Sequence, residues 1–314
     1  RCLSGVEPPH RHNAHIRSIR SCRPKPQGDH GIEPQPRTLA IRMESGYGKN
    51  IGIQAVFHGT LGDAGCWLFT RSKPISRHPV FALVFPWLTL MLTITPLIQS
   101  GPFEVFRVVS RPFYENTYLI RRVGEPACLV IDPGIEPDAV TAVIDELELE
   151  PAAIVLTHGH SDHIAGVGPL RDRWPELPVL IGHGDAEKLT DPVANLSAGY
   201  GISVTSPPAD SLLRGGEPLV VGAFRAEVAE IPGHSQGHVV FWFTGEPVLV
   251  FAGDVLFHEG VGRTDFPDGD FAALASGIIT HLYTLPDTAV VLPGHGEPTT
   301  IGHEKQHNPF VPLN

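Results

Sequence analysis

The sequence predicts a protein of the α/β class. Two observations carry this: from Phe103 onward short apolar runs alternate with amphipathic stretches, and four of the apolar runs end in loops bearing a histidine or an aspartate. A third, 17 histidines against four cysteines, points those loops toward metal chemistry, because imidazole is the commonest metal ligand near neutral pH. Cys2, Cys22, Cys66 and Cys128 show neither CxxC spacing nor an evident pairing. Neither a disulfide framework nor a cysteine zinc site is supported, and a reducing, cytoplasmic setting is expected.

Charge divides the chain into unlike parts. Residues 1–90 hold 12 Lys/Arg against 5 Asp/Glu, net +7, whereas residues 91–314 hold 11 against 29, net −18. Residues 1–77 are rich in Arg, Pro, His and Ser with little apolar periodicity, the composition of a chain that cannot bury a core. Val80 to Ile98 is uncharged and about as long as a membrane span needs, but Pro86 and Pro96 interrupt it and no small-residue cleavage site follows. Residues 1–100 are therefore read as a poorly ordered or non-native basic extension ending in an apolar segment, with no membrane role. Residues 101–314 are read as the functional domain. Translation beginning near Met91 would make the apolar run upstream sequence, which an intact-mass measurement of the product of its own gene tests.

Within residues 101–314, Phe103 to Val109, Thr117 to Arg121 and Ala127 to Ile131 read as three successive strands with an antiparallel start, the last ended by the turn Asp132-Pro133-Gly134. Pro137 opens a helix whose Val140, Val143, Ile144 and Leu147 recur at helical spacing and share one face. A second helix follows Asp270, its N-cap, and places Phe271, Leu274, Ala275, Ile278, Ile279 and Leu282 in one register. Four further strands end in loops: Ala152 to Leu156 runs into Thr157-His158, Arg225 to Ile231 into Pro232-Gly233-His234, Val248 to Ala252 into Gly253-Asp254, and Thr288 to Leu292 into Pro293-Gly294-His295. In helix-covered sheets ligands gather beyond strand ends, so the four loops are expected to converge.

The sharpest local signal is Thr157-His158-Gly159-His160-Ser161-Asp162-His163. Residues two apart in an extended segment point the same way, so His158 and His160 can hold one cation. Asp162 and His163, entering a helix that begins near Asp162, can face a second. An isolated histidine is more often a surface or satisfied core residue. Four donors in six residues would crowd polar groups at a strand end with nothing to compensate them.

That heptad, with His234, Asp254 and His295 at later strand ends, resembles the HxHxDH signature of the metallo-β-lactamase superfamily over about residues 101–314. The resemblance implies an αβ/βα sandwich: two mixed sheets face to face, helices outside, metals at one edge. It implies that His158, His160 and His234 hold a first divalent ion, that Asp162, His163 and His295 hold a second, and that Asp254 bridges them. Zinc is the ion expected for a hydrolase, and iron or manganese suits the same donors. The segments Pro232 to His238, Gly253 to Phe257, Gly262 to Phe266, Leu292 to Gly296 and Asn308-Pro309-Phe310 resemble the short-form relatives of glyoxalase II, the hydroxyacylglutathione hydrolases. Only 19 residues follow His295, where full-length glyoxalase II enzymes carry a C-terminal helical region that grips glutathione, so a short-form enzyme open to a broader range of thioesters or related esters is expected. Gly262 to Phe266 also resembles the persulfide dioxygenases, which use this fold with a single iron.

The function expected from this resemblance is hydrolysis of a small-molecule thioester such as S-lactoylglutathione. Two cations that share a water present hydroxide near neutral pH. Asp162, besides its ligand role, would orient that hydroxide. The alternative is a mononuclear iron persulfide dioxygenase. Arg263 could bind a substrate carboxylate or pair with Asp265 or Asp268 to hold its own loop. His238 is left outside the ligand set, and His183, His258, His281, His303 and His307 are given surface or supporting roles. The acidic charge of residues 91–314 and the short interval from Asp254 to His295 speak against a nucleic-acid substrate.

Overall fold

The computed structural model describes residues 94–313, together with an antiparallel strand pair, β1 (Arg37–Glu44) and β2 (Asn50–Phe57). The chain divides into two units, Arg1–Thr93 and Ile94–Asn314. Apart from that strand pair and residues 94–100, which belong to the second unit, the expected extension and the start near Met91 lie outside the described residues.

The second unit holds two mixed sheets. One has seven strands, in spatial order β3 (Ile98–Ser100), β4 (Phe103–Ser110), β5 (Glu115–Arg122), β6 (Ala127–Ile131), β7 (Glu150–Leu156), β8 (Val179–Gly182) and β9 (Ser211–Leu213). It is antiparallel from β3 to β6 and parallel from β6 to β9. The other has six, in order β10 (Leu219–Val221), β11 (Phe224–Glu230), β12 (Val239–Phe243), β13 (Leu249–Gly253), β16 (Val290–Pro293) and β17 (Thr299–Thr300). A small hairpin, β14 (Leu256–Phe257) and β15 (Gly260–Val261), follows β13.

Three layers of buried apolar side chains show how the pieces stack. Between the sheets, Val105, Tyr118, Leu129 and Val155 of one meet Val228, Phe241, Phe251 and Leu292 of the other. The outer face of the seven-stranded sheet, with Leu119, Val130 and Ile154, is covered by α1 (Pro137–Glu146), α2 (Ser161–Ile164) and α3 (Val167–Arg173). The outer face of the six-stranded sheet, with Val240, Val250 and Val291, is covered by α4 (Phe271–Gly277), a π-turn over Ile278–Leu282, and α5 (Ile301–His307). This is the αβ/βα sandwich. Both inner faces and both outer faces must be apolar in such a stack, which is why β6, β7 and β13 read as unbroken hydrophobic runs rather than alternating ones.

Two helices differ in detail from the sequence reading. Asp270 caps α4 by accepting from the Ala273 amide, as its position suggests, but the helix does not stay in one register. The amide of Tyr283 reaches back five residues to the carbonyl of Ile278, and this wider turn spaces the buried residues Leu274, Ile278 and Leu282 by four. Phe271 and Ile279 are left exposed. In α1 only Val140 and Ile144 are fully buried, and Val143 and Leu147 flank them.

Candidate metal centre

The direction of the strands decides which side chains meet. Strands β11 and β13 both run opposite to β12, and β16 runs parallel to β13, so the C-terminal ends of β11, β13 and β16 lie along one edge. Those ends lead into His234, Asp254 and His295. In the other sheet β6, β7 and β8 are parallel, and their C-terminal ends lead into Asp132, His158 and the segment with Asp185. The one-turn helix α2 then places Asp162 and His163, with His160 as its extended N-cap residue.

Two groups of donors result. His158 Nε2 lies 3.1 Å from His160 Nδ1, which lies 2.9 Å from His234 Nε2. In the second group His163 Nε2 lies 3.3 Å from His295 Nε2, and Asp162 Oδ2 lies 3.4 Å from His295 Nε2 and 3.9 Å from His163 Nε2. Asp254 stands between them. Its Oδ2 is 3.5 Å from His234 Nε2, and its Oδ1 is 3.5 Å from His163 Nε2. All seven residues named from the sequence are therefore brought together.

Hydrogen bonds on the outer side fix the tautomers of four of the imidazoles. His234 Nδ1 faces the carbonyl of Arg263 at 2.9 Å and His295 Nδ1 that of Phe113 at 3.1 Å, so both must donate there. His163 Nδ1 donates to Asp132 Oδ2 at 3.1 Å. Thr157 Oγ1 gives its proton to Asp132 Oδ2 at 2.6 Å and is left to accept from His158 Nδ1 at 3.1 Å. In its neutral form each of these rings therefore turns an unprotonated Nε2 inward. Lone pairs a hydrogen-bond length apart repel, and Asp254 Oδ1 is buried with no hydrogen-bond partner among the described residues. Both features suit divalent ions, which would satisfy them; His158, His160 and His234 could hold one, Asp162, His163 and His295 another.

The two groups differ electrostatically. Burial, reinforced by the neighbouring imidazoles, holds His158 well below the usual histidine range and pushes His160 down to about 2. Burial also lowers His234, against the pull of Asp254. Burial opposes charge on His163 and His295 as well, but Asp254 and Asp162 outweigh it and raise both. Asp162 is pushed up by burial, yet His163 and His295 hold it below the usual carboxylate range. A proton on the second group thus stands where positive charge is wanted.

Three supporting residues escaped the sequence reading. Asp132, which the sequence marks only as a turn residue, adopts φ +47° and binds the Thr157 amide at 2.8 Å as well as the Thr157 hydroxyl and His163. Asp185, fully buried, joins the two ligand loops: it accepts from the amides of Gly159 at 2.8 Å and Gly237 at 2.7 Å and from the Ser235 hydroxyl, with Lys188 Nζ at 3.3 Å. Glu115 is fully buried nearby, and burial raises its carboxyl well above the usual range. The signal for Asp132 and Asp185 was their place just after apolar strands, the same signal that marked His158. His238, outside the ligand set, stacks on His158 at 4.7 Å and accepts the Asp254 amide at 3.1 Å, so it orients the bridging carboxylate's backbone.

The donors open on a cavity of about 250 Å³, walled by Phe113, Tyr200, Phe257 and Phe266. Arg263 reaches its rim. The guanidinium forms a two-pronged pair with Asp265, both contacts 2.9 Å, and lies over the Phe266 ring at 4.6 Å; Asp268 instead binds Lys188 at 2.6 Å.

The family model described as the metallo-beta-lactamase superfamily matches residues 110–295, the interval from the end of β4 to the last ligand. The chain belongs to the metallo-β-lactamase superfamily. Within that superfamily it is 37% identical over 206 residues to the hydroxyacylglutathione hydrolase GloC of Haemophilus influenzae, covering 63% of this chain and 93% of that protein. Among solved structures it is similar to the BLEG-1 B3 metallo-beta-lactamase, with TM-score 0.63, 36% identity, and 66% and 99% of the two chains covered. It is also similar to TTHA1623 in a di-iron-bound form, with TM-score 0.58, 37% identity, and 65% and 99% covered. The superfamily fold, the donor clusters and the di-iron relative together identify a metal-dependent hydrolase with places for two ions. No helix among the described residues is long and apolar enough to cross a membrane.

Proposed function

We propose that this superfamily member hydrolyses small-molecule thioesters of the hydroxyacylglutathione type with two metal ions. The observation that carries the reading is Asp254, whose Oδ2 stands 3.5 Å from both His234 of one group and His295 of the other while its Oδ1 stands 3.5 Å from His163, with every donor of both groups present. A single ion held by His158, His160 and His234 would leave Asp162, His163 and His295 without a ligand role. When bound, the ions would polarise the acyl carbonyl and acidify a water. Zinc serves this chemistry without redox change, and the di-iron relative makes iron the alternative that elemental analysis distinguishes.

The chain's own contribution is to orient and to exclude. Asp162, ionised and half-turned to the cavity, accepts a proton's hydrogen bond from the attacking water and aims it at the acyl carbon. The aromatic wall takes the acyl group and the body of the thiol carrier. Apart from the proposed donors, the ionisable groups lining the cavity are the Tyr200 hydroxyl and the paired Arg263, so no strong general acid faces the leaving group. A thiolate, whose conjugate acid has a pKa near ~8.5, departs without one, whereas an amine does not. That point and the GloC relative favour a thioester over a lactam. The free, buried thiol of Cys128 accords with the cytoplasmic setting included in this reading.

The test is thiol release from S-lactoylglutathione and from a thioester lacking glutathione, measured beside hydrolysis of a chromogenic cephalosporin and oxygen uptake with glutathione persulfide. The thioesters should be turned over with much the higher kcat/KM. Oxygen uptake without thiol release, or lactam hydrolysis exceeding both, would overturn the reading.

A further inference from the structure

We infer a separate metal site on the outside of the domain, formed by His258, Glu259 and His303 and suited to a borderline divalent ion such as Zn2+, Ni2+ or Cu2+. Each of the three offers one donor atom, and these atoms all lie within 4.8 Å of one another. His258 and Glu259 form the turn between β14 and β15, and His303 lies on α5, so the donors come from two elements that are distant in sequence.

The juxtaposition is built by residues other than the donors. The amide of Glu259 donates to Glu304 Oε2 at 3.0 Å, and Glu304 is fully buried on the inner side of α5. Its other oxygen takes the Thr299 hydroxyl at 2.6 Å. Asn308 Nδ2 bonds both Glu304 Oε2 at 2.9 Å and the Gly260 carbonyl at 3.0 Å. This network pins the turn to the helix and holds Glu259 at φ +54°, a conformation a glutamate rarely adopts unaided. Its carboxylate is thereby set 3.1 Å from His303 Nε2, and the His258 ring lies 4.9 Å from that of His303 with the planes 15° apart. One helical turn on, His307 stacks on His303 at 4.4 Å and spends its Nδ1–H on the His303 carbonyl, which steadies the ring from the far side.

None of these side chains lines the central cavity or touches the seven donors described above. Two imidazoles and a carboxylate favour a borderline ion over Ca2+ or Mg2+, which prefer oxygen, and the exposed side leaves a coordination position for water. A bound ion would clamp the β14–β15 turn to α5. That hairpin follows the bridging Asp254 and precedes Arg263, so the clamp would stabilise a segment next to the catalytic centre without entering it.

The experiment is equilibrium dialysis of the full chain against Zn2+, comparing the unmodified protein with His258→Ala, Glu259→Gln and His303→Ala. Histidines elsewhere contribute equally to all four and drop out of the difference. The unmodified protein should bind one equivalent more than each variant, while thioester turnover stays the same in all four. Zn2+ in excess of the central equivalents should also raise the Tm of the unmodified protein and not that of His303→Ala. Equal stoichiometry in the unmodified protein, Glu259→Gln and His258→Ala overturns the site; these two substitutions lie on an exposed turn and leave the Glu304 network intact.

Discussion

At the scale of single residues, the least replaceable side chain is Asp254, because it alone faces both donor groups. An aspartate that merely capped a loop would lose about 1 kcal/mol on truncation and leave catalysis near normal. Asp254→Ala should instead abolish turnover while the far-UV circular dichroism and cooperative melting persist; retained activity would refute the bridging role. Arg263 makes the opposite case. Its guanidinium is held by Asp265 and Phe266, while its carbonyl fixes the tautomer of His234, so the backbone rather than the charge serves the site. Arg263→Ala keeps that carbonyl but frees its loop from Asp265, so any fall in kcat/KM should be by similar factors for an anionic and a neutral thioester. A KM rise confined to the anionic substrate would assign the side chain to substrate carboxylate binding instead. The seven donors were legible in the sequence because they fall in one heptad and at the ends of apolar runs, and their grouping around two ions was what the resemblance to the HxHxDH signature implied. Asp132, Asp185 and Glu115 were not, since a carboxylate near a turn or helix is ordinary and only the folded chain shows what it supports.

At the scale of elements, the site depends on loops that approach more closely than side chains allow. A Cβ added to Gly294 would meet Asp254 Oδ1 at 2.2 Å and His163 Cε1 at 2.7 Å, so Gly294→Ala must displace either the bridging carboxylate or the His295 loop. The expected outcome is a folded protein whose metal content after dialysis falls and whose turnover falls with it. Normal metal content would show that the loop yields without harm. The tie through Asp185 predicts a different failure. Asp185→Asn turns an amide toward backbone donors and leaves Lys188 one partner fewer, a buried loss on the order of 3 kcal/mol. Thermal denaturation should show it, and because the residue joins the loops of His158, His160 and His234, affinity at that first group should drop roughly 10–100-fold. Unchanged affinity with lowered stability would reduce Asp185 to a structural role. Apolar runs marked seven strands of the second unit, but not β3, β8, β9, β10, β12, β14, β15 or β17. The reason lies in length and surroundings: β3, β9 and β10 have three residues each and β14, β15 and β17 two, while β8 and β12 are interior strands whose apolar residues cannot be told from any buried run.

At the scale of the whole molecule, the metal site sits where the two sheets of the sandwich come together, and each group of donors draws on both. His158 and His160 follow a strand of one sheet and His234 a strand of the other; Asp162 and His163 follow the first sheet and His295 the second. The loop carrying His295 is also gripped across the sandwich, for the Asn116 amide group donates to the carbonyls of Pro293 and Gly296 and the Tyr118 hydroxyl to that of Pro293. Emptying the site leaves converging imidazole lone pairs and the carboxylates of Asp162 and Asp254 facing one another at low dielectric, with a proton on the second group as partial relief. Ions that bind only the folded chain stabilise it by mass action, about 4 kcal/mol at a thousand times the dissociation constant. For a domain of this size that corresponds to a rise in Tm of roughly 10 °C on reloading a chelator-stripped sample. Differential scanning calorimetry of stripped and reloaded protein measures it directly, and Asp254→Ala is the control in which the rise should shrink. Identical melting of the stripped and reloaded samples would mean that the ions do not bind the folded chain in preference to the unfolded one, and would refute the two-ion centre at these seven side chains.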